Sequence, residues 1–141
     1  MREILFKAKR VDNGEWIEGY YAECKGKTFI GIDISIGIDV FEVFCTPVIR
    51  WLEVDPETLC QFAGMTDKNG KRIWESDVVW LVYNGEEHIY QIVWDNSELD
   101  FKATNGEENY GLNFEYLLCC DEIEVIGNIF DNPELLQEEH K

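Results

Sequence analysis

Residues 64–87, GMTDKNGKRIWESDVVWLVYNGEE, hold two Asn-Gly steps, three basic residues and a run of six apolar ones. Lys68, Asn69, Gly70 and Lys71 could cradle a phosphate, or they could turn the chain between two strands. A phosphate loop needs G-x-x-x-x-G-K-[ST] between a strand and a helix, so that backbone N–H groups and a helix N-terminus meet the anion. Here Gly70 and Lys71 are followed by Arg72 and then by a strand pattern. Asn-Gly between apolar runs is the strongest short hairpin signal, because both residues tolerate positive φ. The stretch therefore reads as turns at Asn69-Gly70 and Asn84-Gly85, with Asp77 closing a third turn before the apolar strand. A calcium loop fails as well. Asp67 and Asn69 match its start, but Lys71 and Val78 stand where an oxygen ligand and a bidentate Glu are required.

The same cadence runs outward in both directions. EILFKAK alternates, VDNGE turns at Asn13-Gly14, WIEGYYAEC follows, and KGK turns at Gly26. In TFIGIDISIGIDVFEVF the isoleucines at 30, 32, 34, 36 and 38 recur at every second position, the strand period, so it reads as two strands joined near residues 35–37. TPVIRWLEV is another strand, with Pro47 suiting its start or a sheet edge. Asp55 and Pro56 predict a single helical turn. Further strands are predicted in HIYQIVWD, FKATN, NYGLNFEYLL and EIEVIGNIF, and NPELLQEEHK predicts a short helix with Asn132 as N-cap. Many short strands without alternating helices mean an antiparallel, mainly β fold. The segment from about Gly64 to Asp95 has the rhythm of a small SH3-like barrel.

At 141 residues the chain suits one domain, with subdomains allowed at 1–60 (N-terminal β hairpins) and 61–141 (SH3-like β part with the C-terminal helix). Hydrophobic content of 45% with five Trp, six Tyr and eight Phe is far from a disordered composition. Twelve basic against twenty-nine acidic residues give a net charge of −17. Such a surface repels phosphates and anionic membranes, so neither nucleic acid nor membrane is an expected partner. The charge serves solubility, or it imitates DNA and occupies a nucleic-acid-binding protein. The opening MREILFKAKR has no seven-residue apolar core, and no run approaches the ~18 residues of a membrane span. Five cysteines, Cys24, Cys45, Cys60, Cys119 and Cys120, sit mostly in apolar runs without a C-x-x-C, as reduced core thiols of a cytoplasmic protein would.

No constellation for catalysis stands out. His88 and His140 are the only histidines, and no Cys or His cluster has zinc spacing. Carboxylate pairs such as Glu86/Glu87, Glu107/Glu108 and Asp121/Glu122 follow from composition. No catalytic, metal or cofactor-binding residue is therefore expected.

VDPETLCQFAGMTDKNGKRIWESDVV, IEVIGNIFDNPELL and the opening MREILFKAKRVDNGEWIEGYY together resemble the YopX family, proteins encoded by bacteriophages and prophages of Gram-positive bacteria. Gly70, Asp77, Gly127 and Asn128 match the family pattern, whereas Cys60, Ala63 and Ser76 depart from Gly, Thr and Gly. The resemblance implies a mainly β fold with an SH3-like part in the cytoplasm of a phage-infected or lysogenic host, and it implies no activity. The expected function is a non-enzymatic accessory protein that binds a protein partner, with homo-oligomerisation open. The alternative is an acidic DNA-mimic decoy.

Overall fold

The computed structural model describes residues 4–34, 48–83, 85–96, 99–104, 112–113 and 120–138. The chain divides into two units, residues 1–61 and 62–141.

The first unit is built from hairpins placed where the turn residues predict them. β1 (Phe6–Lys9), β2 (Trp16–Cys24), β3 (Lys27–Asp33) and β4 (Ile49–Val54) pair antiparallel in sequence order. Lys25 and Gly26 both have positive φ, which is what a tight two-residue hairpin loop requires. The end of β1 also returns to the end of β4 through an isolated Arg10–Val54 bridge. Asp55 Oδ1 accepts from Glu57 N–H and starts the predicted single turn, a 3-10 helix at Pro56–Thr58. Ala8, Ile30 and Val54 form the core on one sheet face, with Phe6, Ile17 and Leu59 against it. The period-two isoleucine pattern explains why Ile30 is buried and Ile32 half-buried on that face. Ile34 is exposed, and the second strand expected from this pattern, with Ile36 and Ile38, lies outside the described residues. β5 (Cys60–Thr66) begins here, its first two residues pairing with Lys7 and Phe6.

In the second unit the rest of β5 pairs with β6 (Arg72–Trp74), with a register shift between Phe62 and Thr66. β7 (Asp77–Tyr83), β8 (Glu86–Asp95), β9 (Asp100–Thr104), β10 (Leu112–Asn113) and β11 (Glu122–Asn128) form an antiparallel sheet of order β10-β9-β8-β7-β11. β7 carries Val78, Val79 and Leu81 at 0% exposure, so the unbroken apolar run is a strand buried on both faces. Ala63, Ile73, Val79, Leu81, Tyr90, Ile92, Phe101, Ala103 and Ile123 make the core. A five-residue helix, α1 (Glu134–Glu138), lies against β8. The expected small barrel is absent among the described residues, where β10 and β11 end the order without pairing to each other. A hairpin rhythm fixes which neighbours pair and leaves the closure of the ends unspecified.

Lys102 is a buried cation. It is 4% exposed on β9, its ammonium 2.6 Å from Asp95 Oδ2. A buried charge persists only when paired, and Asp95 on the adjacent strand supplies the partner. The described cysteines are Cys60 (buried), Cys120 (half-buried) and Cys24 (exposed), none in a disulfide. Cys24 faces outward because it ends β2 beside the Lys25-Gly26 turn. In native thiol titration Cys24 should react in the fast phase, so Cys24→Ser should delete one fast equivalent. Cys60→Ser should remove one that appears only on unfolding; equal native rates for the two thiols would contradict this burial.

Candidate interaction surface and the turns that support the fold

The turn at residues 67–71 is held by one carboxylate. Asp67 is 7% exposed, and its Oδ1 accepts from Asn69 N–H and Lys71 N–H at 2.9 Å each. Its Oδ2 accepts from Val125 N–H of β11, also at 2.9 Å. Burial alone would raise its pKa, but the three backbone donors and the Lys71 charge outweigh it and hold the carboxyl below its ordinary value of 3.8. Gly70 has φ +79° with its N–H bonded to Asp67 O, and open space surrounds the place a Cβ would occupy. Glycine is needed there for its backbone conformation alone.

The other residues singled out in the sequence are also architectural. Asp77, 2% exposed, accepts from Trp74 N–H at 2.8 Å and closes the β6–β7 turn. Within that turn Ser76 adopts φ +73°, held by Ser76 N–H to Ile92 O and Ile129 N–H to Ser76 O. The left-handed conformation thus survives without the glycine of the family pattern. Gly85 has φ +80° between β7 and β8, while Asn84 lies outside the described residues. Gly127 sits at the β11 bulge, where a Cβ would come 2.5 Å from Asn132 Oδ1. Asn132 differs from the predicted N-cap. Its carbonyl does accept from Leu135 N–H, but its side chain turns back over Gly127 to accept from Asn128 N–H at 3.3 Å. That position is available because glycine leaves it empty.

Three of the four described cations of the second half, Lys68, Arg72 and Lys102, have their charged ends engaged at separate places. Lys68 lies over Trp80 and 3.9 Å from Glu124, Arg72 lies over Phe62, and Lys102 is buried with Asp95; Lys71 bonds Asp67 through its backbone N–H.

The exposed feature of most interest is in the first unit and was not singled out in the sequence. Cross-strand register sets Tyr20, Gly31 and Trp51 in one row, with Ala22, Phe29 and Glu53 in the next. These positions share the sheet face opposite the Ile30 core. Tyr20 is 50% and Trp51 47% exposed. Ala22, Cys24, Phe29 and Trp51 line a shallow concavity of about 290 Å³. The available signal was in WIEGYYAEC, which places aromatics on both sides of the pleat, and in IRWLEV, where Trp51 and Leu52 face opposite sides. Strand alternation alone does not say which face is the core.

Two measurements test the turns. Asp67 has a depressed native pKa, so its contribution is full above the unfolded pKa near 3.9 and is lost as pH falls through the native value. Asp67→Ala should cost roughly 2–4 kcal/mol at neutral pH through three orphaned N–H donors. The gap from wild type in urea melts should narrow below about pH 4, and a gap independent of pH would contradict the clamp. Gly70→Val should cost about 1–2 kcal/mol, whereas Ser76→Gly should gain roughly 0.5–1 kcal/mol by relieving the same conformation. A Ser76→Gly protein less stable than wild type would show that no strain is held there.

Among the described residues no three His, Cys, Asp or Glu side chains are grouped to hold a metal ion. Among the described residues no helix is long and apolar enough to cross a membrane. No curated protein matches the chain. A solved structure, the crystal structure of protein EF1440 from Enterococcus faecalis, is similar at a TM-score of 0.56 and 21% identity. The match covers 96% of this chain and 99% of that one, a likeness of fold. The family model described as YopX protein matches residues 5–137, and the chain belongs to the YopX family.

Proposed function

We propose that this YopX-family chain is a non-enzymatic accessory protein that binds another protein, working without a cofactor in the cytoplasm of a bacterium that carries a phage or prophage. The observation that carries the reading is the exposed aromatic face of the first unit, with Tyr20 and Trp51 about half exposed. Aromatic side chains held on a rigid sheet bury large area at little cost in conformational entropy, which is how interface hot spots work. A homo-oligomer is one form that this binding can take.

A second reading, the acidic decoy, draws support from the charge distribution. Residues 1–61 hold seven basic and eleven acidic residues, while residues 62–141 hold five and eighteen. The acidic excess therefore belongs mostly to the second unit, and the decoy would act through it. Both readings exclude nucleic acid as a ligand. The separate engagement of Lys68, Arg72 and Lys102 supports that exclusion, because a phosphate track needs clustered cations.

Affinity capture from the host with mass spectrometry is the discriminating experiment, run on wild type, Trp51→Ala, and a charge-reduced second unit (Glu86→Gln, Glu87→Gln, Glu122→Gln). Loss of the captured protein with Trp51→Ala supports the aromatic face. Loss only with the charge-reduced protein, for a nuclease or restriction subunit, supports the decoy. Fluorescence anisotropy with labelled duplex and single-stranded oligonucleotides should show no binding at about 50 or about 150 mM salt. Micromolar binding that persists at the higher salt would sink both readings.

A further inference from the structure

We infer that the Trp51–Tyr20 face receives an arginine-bearing basic segment of the partner; this rests on the protein-binding reading above and names the chemistry of its ligand. Trp51 is seated rather than merely exposed. A Cβ at Gly31 would come 2.7 Å from Trp51 Cζ3 and 2.8 Å from Cε3, so the indole lies against the bare backbone of β3. A mid-strand glycine weakens a sheet and marks a close approach. What approaches here is the protein's own indole, which remains 47% exposed.

Elsewhere the molecule covers its rings with cations. Lys7 and Lys9 lie 4.7 and 5.4 Å from the Trp16 ring centroid, Lys68 lies 5.1 Å from that of Trp80, and Arg72 lies 5.6 Å from that of Phe62. Among the described residues neither Trp51 nor Tyr20 has a cation or another ring on it. An electron-rich ring surface is thus left open beside its own carboxylates. Glu53 lies two residues along β4 from Trp51 and opposite Phe29, and Asp33 lies opposite Ile49 on the other side. Lys27 stands 3.9 Å from Glu53, and Lys7 and Lys9 are gathered at Trp16, so the face is close to neutral locally. The attraction comes from the whole chain, at −17, and selects a cationic partner over an acidic one. Arginine fits both parts of the site. Its flat, weakly hydrated guanidinium stacks on an indole, and its edge donates in a fork to carboxylates. Lysine answers the field equally but stacks less well, because its ammonium is a compact, strongly hydrated charge.

The test titrates labelled peptides of alternating Arg and Ser, Lys and Ser, or Glu and Ser into full-length protein at physiological salt, read by anisotropy. The variants are Trp51→Ala, Trp51→Phe, Tyr20→Ala and, as a control in the second unit, Leu99→Ala, which is 73% exposed in wild type. The Arg peptide should bind, more tightly than the Lys peptide, and the Glu peptide should not bind. Trp51→Ala should weaken Arg-peptide binding roughly five- to tenfold, Trp51→Phe should restore part of it, and Leu99→Ala should leave it unchanged. If Trp51→Ala melts early, Trp51→Phe and Tyr20→Ala, which keep the seat on Gly31 filled, carry the comparison. Absence of Arg-peptide binding overturns the inference. So does equal Arg and Lys binding that none of the Trp51 and Tyr20 variants weakens, since the field alone would then account for it. If these peptides fail while Trp51→Ala still abolishes capture from the host, the basic ligand is wrong and the protein-binding face stands.

Discussion

The second unit depends on a single buried carboxylate. Asp67 ends the β5 segment, and its oxygens satisfy backbone donors from the turn that follows and from β11, a strand 58 residues later. Those donors face inward, where an unmade hydrogen bond costs more than a made one contributes. Around it, Asp67 N–H bonds Lys71 O and Lys68 N–H bonds Ile123 O, so the turn is stitched to β11 from both sides. Because β11 also pairs with β7, the clamp reaches a strand that is buried on both faces. The Lys71 charge also favours the ionised carboxylate.

Much of this was legible in the sequence, for reasons that differ by residue. The hairpins followed from local chemistry: Gly70, Gly85 and Gly26 sit where a chain must take positive φ, and the strands between them follow from alternation. The helical turn at Asp55-Pro56 was legible for the same reason, since cap and first position are adjacent. Pairing between distant segments was not. Nothing around Asp67 states that it bonds Val125, and nothing around Asn132 states that its side chain fills the space over Gly127. Ser76 is the instructive case, because residue preference argued against φ +73° there while hydrogen bonds with Ile92 and Ile129 impose it. Tertiary contacts decided against local propensity.

The surface divides in a way that net charge conceals. A value of −17 suggests a uniformly acidic molecule, yet the excess lies mostly after residue 61, where Lys68, Arg72 and Lys102 are each held by a ring or a carboxylate. Lys102 is the extreme, spent on neutralising Asp95 beneath the surface. In the first unit the balance is closer, and the outward sheet face holds exposed aromatics among charges of both signs. Long-range field and short-range contact are thereby assigned to different residues, which lets each be changed by mutation without the other.

The residues that carry the family resemblance fall on one side of a further division. Gly70, Asp77, Gly127 and Asn128 each set a turn or a bulge: Asn128 Oδ1 accepts from Phe130 and Asp131 N–H, as Asp77 does from Trp74 N–H. Such positions are demanding because backbone geometry tolerates few side chains, and they identify a family whatever its members bind. Phe29 and Trp51 lie outside all three stretches that carry the resemblance, and Tyr20 at the very end of the opening one, on strands whose register would accept many residues on the outward face. Only Gly31, emptied to seat an indole, ties that face to the backbone. Recognition by motif therefore reports the scaffold, and what the molecule binds must be read from the face that the scaffold leaves uncovered.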